Sequence, residues 1–179
     1  MSSTRFAGLT LPQLAVFAWA IGGTVFLLVQ ALYKLWPMAA EALALGLDPI
    51  HWVAVPLWMA FMAYTEGYRG FWQRFSPRAA VRAEWLARHP SPLLVLLAPL
   101  VAMGMFHANR RRLIGSWLLL AGIVAIVIVV RQLPQPWRGV VDSGVLVGLS
   151  IGTVSTLWFA IRTLAGRPPA IAADLPTRP

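Results

Sequence analysis

The stretch LIGSWLLLAGIVAIVIVV, residues Leu113–Val130, carries no charge and follows directly on Arg110-Arg111-Arg112. As an α-helix it is about 27 Å long, close to the roughly 30 Å hydrocarbon core of a bilayer. Backbone polar groups in lipid must be satisfied within the chain, so an apolar stretch of this length reads as a spanning helix. Four further apolar segments share its character, near residues 12–33, 51–71, 92–107 and 140–161. Apolar residues make up 59% of the 179, with a mean hydropathy of +0.70, above the roughly 45–50% apolar fraction of soluble domains. The expected fold class is all-α, a polytopic transmembrane helical bundle over residues 1–165. The proline-rich residues 166–179 are expected to form a disordered tail.

Fifteen Lys and Arg against six Asp and Glu give a net charge of +9. In a water-soluble chain this excess would point to nucleic acid. Here the basic residues lie between apolar segments, where they orient spans and meet anionic lipid headgroups, so no nucleic-acid partner is expected. The absence of cysteine excludes disulfides, thiolate metal sites, iron–sulfur clusters and Cys nucleophiles. Arg5 and Ala18-Trp19-Ala20 have the outline of a signal peptide. The apolar run continues to Val29, however, and reads as an uncleaved first span.

The first helix is expected to start at Thr10-Leu11-Pro12 and end at Leu32, with Tyr33, Lys34 and Trp36 at the membrane interface. Ala39–Leu47 reads as a short helix on the membrane surface, and Asp48-Pro49 as a turn. Pro77–Ala87 reads as an amphipathic helix turning Trp85 and Leu86 toward lipid. Pro99 interrupts the segment that opens at Ser91-Pro92, and Gln132–Gly139 is a rigid aromatic-anchored loop. Most of the nine tryptophans fall near segment ends, as an aromatic belt requires.

Basic residues concentrate on the cytoplasmic side. With Arg69 set aside, five crossings from an inside N-terminus divide the basic residues seven to seven. If residues 92–107 instead enter and return on one face, eleven lie inside and three outside. Four full spans plus a proline-broken fifth segment, re-entrant in preference to spanning, is the expected arrangement.

Few residues offer chemistry. Glu66 lies about 22 Å along a helix from His51, still inside the hydrocarbon core. Arg69, three residues on, is placed to pair with it on one helix face. Glu66 reads either as the closure of a helix at headgroup level or as part of a proton, ion or ligand path. Asp142 reads as a cap of the last span, and in the re-entrant arrangement it lies on the opposite side from Glu66. With His107 these residues make up the candidate polar site. Gly144, Gly148 and Gly152 form a smooth helix face for docking inside the bundle or against another subunit. Arg74, Arg78, Arg110, Arg111 and Arg112 are the expected lipid-headgroup contacts. His51, His89 and His107 stand near segment ends, unsuited to haem. No zinc, di-iron, serine-hydrolase or nucleotide-binding pattern is present, so no cofactor, metal or catalytic residue is expected.

Glu66-Gly67-Tyr68-Arg69-Gly70-Phe71 with Phe75-Ser76-Pro77-Arg78, Phe106-His107-Ala108-Asn109 with the arginine triplet, and Pro136-Trp137-Arg138-Gly139 resemble stretches of a family of uncharacterised small multi-span bacterial inner-membrane proteins. The resemblance covers residues 50–160 and implies a location without an activity. Fourteen arginines to one lysine fit a GC-rich bacterial gene. The first expectation is a non-enzymatic accessory or assembly subunit, docked through its glycine face to a membrane-protein partner or a second copy and holding anionic lipid. The alternative is a small transporter or channel using Glu66 and Asp142, and the third is a lipid-modifying enzyme beside the arginines.

Overall fold

In the computed structural model, which describes residues 8–44 and 46–175, α1 runs from Leu11 to Ala44. It starts where expected: the Thr10 carbonyl accepts from Leu14, and the Thr10 N–H donates to Gln13 Oε1 at 2.9 Å. It does not stop at Leu32. Pro37 removes one backbone donor, but the alanines and Glu41 that follow are strong helix formers. The first residue suited to ending the helix is Gly46, at φ 83°. The separate surface helix expected over Ala39–Leu47 is therefore corrected to the last turns of α1; residue 45 lies outside the described residues, as do Arg5 and Arg178, which entered the charge count.

Three helical stretches then follow without a loop: α2 (Pro49–Met62), a π-helical segment (Ala63–Phe75) and α3 (Ser76–Arg88). Two short helices, α4 (Pro92–Leu96) and α5 (Ala98–Ala102), precede α6 (Arg110–Val130) and α7 (Trp137–Leu164). Every regular element among the described residues is helical. Three helices, α1, α6 and α7, are long and apolar enough to cross a membrane. Phe26, Trp19, Leu118, Ile126 and Ile161 stand exposed along them, a surface that water would penalise and lipid does not.

The register between helices follows from small residues. The α2–π–α3 run lies parallel to α7, and the contacts climb both together. Trp58 meets Gly144 and donates its indole N–H to the Val141 carbonyl at 3.1 Å, Glu66 meets Gly148, Phe71 meets Gly152, and Ser76 meets Ser155 and Thr156. The glycine face of α7 is thus filled from within the chain. Helix α1 runs antiparallel to α7, with Ala42 against Gly139 at one end and Phe17 and Ala160 in one core cluster at the other.

The core sits at the α3 end, where Ala79, Ala83, Leu86 and Ala87 pack with Leu9, Phe17, Ala98 and Val101. Leu86 is fully buried, and Trp85 is half-buried with its indole stacked on His89 and His107. Both were expected to face lipid. The alanines correct this, because a face without bulk lets α3 approach its neighbours closely and carries Leu86 inward.

Residues 92–107 leave from His89 and come back to His107, and both rings stack on Trp85, at 5.3 and 5.2 Å. The helix breaks at Leu97, between α4 and α5, with Pro99 in the first turn of α5. Pro99 has no N–H to offer the Val95 carbonyl four residues back, and the indole of Trp19 donates to that carbonyl at 3.0 Å instead. Thr24 Oγ1 reaches the Pro99 carbonyl at 3.4 Å, and the Pro99 ring occupies the space a side chain at Gly23 would need.

Candidate functional site

The four residues expected to form a polar site do not come together. Arg69 is exposed and makes no ion pair with Glu66. The π segment explains the correction. Its i→i+5 bonding widens the turn, so residues three apart no longer share a face as they do on an α-helix. Glu66 turns toward α7 instead, where Oε2 is buried against Gly148 with no hydrogen-bond partner among the described residues.

Asp142 does not cap α7. The helix begins earlier, at Trp137, and the Gly139 N–H is taken by Gln135 Oε1 at 3.1 Å. Asp142 is buried in the second turn, with Arg138 Nε 3.8 Å from its Oδ2. It lies six residues before Gly148, about 9 Å along the axis, between Glu66 and the start of α7. His107 stands at the other end of the bundle, stacked on Trp85 with φ 50°.

What the fold assembles is an arginine cluster at the α3 end. Arg82 projects from α3 at 0% exposure, and its donors all point at protein. Nε donates to the Ala173 carbonyl at 2.7 Å, Nη1 to the Ala102 carbonyl at 3.3 Å, and Nη2 to Asp174 Oδ2 at 3.4 Å. Arg78, one turn earlier, places Nε 3.2 Å from the same carboxylate oxygen. Arg112 comes from the first turn of α6, which Asn109 caps by accepting the Arg112 N–H at Oδ1, 2.9 Å. Its Nε is buried and meets no acceptor among the described residues.

Gly104 makes this convergence possible. With φ 76° it turns the chain back, and a Cβ there would stand 2.6 Å from Arg82 Nη1 and 3.0 Å from Arg112 Nε. Burial pulls the Arg82 guanidinium down to about 10; the neighbouring Arg112 charge adds to the fall, and Asp174 opposes it.

Asp174 lies in the tail expected to be disordered, which carries no regular element as far as residue 175 and from there reaches the arginines. A fully buried guanidinium needs acceptors, and the returning chain supplies them through the Ala173 carbonyl and the Asp174 carboxylate. The Asp174 carbonyl also accepts from the Asn109 N–H at 2.8 Å. Residues 176–179 lie outside the described residues.

Of the expected headgroup contacts, Arg74, Arg110 and Arg111 are exposed, whereas Arg78 and Arg112 turn into the cluster. Arg82 and Asp174 were not singled out by any motif. The available signal was an arginine set in the run Ala79-Ala80-Val81-Arg82-Ala83, together with the lone acid of the tail. Comparison with protein-family models, curated proteins and solved structures finds no match for the chain.

Proposed function

We propose that the protein is a multi-pass component of a bacterial inner membrane, an accessory or assembly subunit that binds another membrane protein and carries no catalytic site. In this reading α1, the α2–π stretch, α6 and α7 cross, and residues 92–107 are re-entrant. Two observations support the topology. The α2–π stretch and α7 run parallel, as they must if 92–107 returns to its own side, whereas a fifth crossing would set them antiparallel. The stacking of His89 and His107 on one indole holds both ends of 92–107 together. The eleven arginines that collect on one side then face the cytoplasm and its anionic lipid.

The observation that carries the subunit reading is α6. It is a 21-residue apolar helix in which Ser116 alone is buried, and Gly115 and Gly122 face open space. In lipid, helices associate by close packing. A spanning helix held off its own bundle, with bare glycines, offers that packing to another protein. The glycine face of α7 is already filled, so the partner contact moves from α7, where it was expected, to α6.

Purification in mild detergent should yield a stoichiometric partner or a homo-oligomer, and a single cysteine at position 122 should cross-link to it. A strictly monomeric particle that yields no cross-link in membranes overturns the reading. Transport through Glu66 is the second reading, favoured by a carboxyl inside the α2–π stretch with no cationic partner among the described residues. Equal flux in liposomes for the wild type and Glu66→Gln removes it.

A further inference from the structure

The geometry points to a binding site for one anionic phospholipid, with Arg78, Arg82 and Arg112 around its phosphate and the apolar flank of α6 along its acyl chains. In this site Asp174 stands in for the phosphate. The inference rests on the membrane placement proposed above.

Charge balance is the first observation. Among the described residues three guanidiniums converge and one carboxylate answers them, leaving an excess of two positive charges where Arg82 is fully buried. Like charges are brought together at Gly104, whose missing side chain is what lets Arg82 and Arg112 approach. Such an arrangement favours a further anion. The donors are in place for one, since Arg112 Nε is buried and unbonded among the described residues, and the Arg82 bonds to Asp174 and Ala102 are long. Arginine forks match phosphate oxygens in geometry as well as charge.

The second observation selects a lipid over a free phosphate. An open cleft of about 740 Å³ is lined by Met105, Phe106, Leu113, Ile114, Trp117 and Leu118. Met105 follows Gly104 and Leu113 follows Arg112, so the apolar cleft and the positive cluster are neighbours along both strands of chain. A phosphate on the cluster would place attached acyl chains at the mouth of the cleft and along α6.

Asp174 then acts as an internal competitor. It is held at φ 53°, an uncommon conformation for a residue with a side chain, on a segment without regular structure. Displacing it frees Arg78 and Arg82 for the ligand.

The test uses the full-length protein in neutral detergent, titrated with phosphatidylglycerol and, separately, phosphatidylcholine, with bound lipid counted by native mass spectrometry. One phosphatidylglycerol should be retained about tenfold more tightly than phosphatidylcholine. Asp174→Asn should tighten it by about threefold to tenfold, and Arg112→Gln should weaken it by about tenfold. The melting temperature of each variant without lipid controls for folding, and Arg112→Gln, which removes an Nε with no partner among the described residues, is the variant that should melt as the wild type does. Retention of both lipids alike overturns the site, as does unchanged affinity in either variant. Displacement of the lipid by millimolar glycerol 3-phosphate overturns the part assigned to the cleft. A chain that stays in solution without any detergent would instead overturn the membrane placement, and this is seen before lipid is added.

Discussion

The Glu66 carboxyl occupies the space that a side chain at Gly148 would need: a Cβ there would stand 2.5 Å from Glu66 Oε2. The two residues are therefore one packing unit. Gly148→Ala should destabilise the protein by about 1–3 kcal/mol through overpacking, read as a lower melting temperature in detergent. Glu66→Ala should relieve most of that loss, with a coupling of about 1 kcal/mol or more in the double-mutant cycle. Additive losses would mean that the contact is not what Gly148 serves.

The Trp19 indole stands in for the N–H that Pro99 lacks. Trp19→Phe leaves the Val95 carbonyl without this donor and should cost about 1–3 kcal/mol. In a Pro99→Ala background the new N–H at position 99 can return to Val95, so the same Trp19 substitution should cost little. Equal losses in both backgrounds would assign the effect to lost ring packing.

Ser76 ties α3 to α7, with its Oγ 2.7 Å from Ser155 Oγ and 3.0 Å from Thr156 Oγ1, all three residues fully buried. Ser76→Ala should lower stability by about 0.6–2 kcal/mol, the range of interhelical hydrogen bonds in membrane proteins. Ser155 and Thr156 keep their bonds to the Gly152 carbonyl. Adding Ser155→Ala to Ser76→Ala should therefore cost less than Ser155→Ala alone, and a full additive cost would deny the shared network.

Topology can be checked with single cysteines, because the chain has none of its own. Cysteines at Ser91 and Asn109 should both be protected from an impermeant thiol reagent in intact cells, and one at Gln132 should be labelled. Labelling of position 109 but not 91 would make residues 92–107 a full crossing.

That α1, α6 and α7 are long and apolar enough to cross a membrane was legible from the sequence because it depends on length and the absence of charge, both local properties. The glycine face was legible for the same reason, since its spacing is periodic along one helix. Two features were not legible. The pairing of Glu66 with Arg69 failed because a π turn changes which neighbours share a face, and nothing in residues 63–75 announces that geometry. Leu86 was assigned to lipid because alanines look neutral in a hydropathy pattern, although their small size is what draws helices together.

The sequence by itself determined that this chain forms helices long and apolar enough to cross a membrane, since length and absence of charge are read residue by residue. Only the tertiary structure decided that Arg82 is buried, that Asp174 returns to meet it, and that α6 stands apart. Charge and hydropathy act residue by residue along the chain, whereas the worth of a guanidinium or a bare helix face depends on partners brought from 20 to more than 90 residues away.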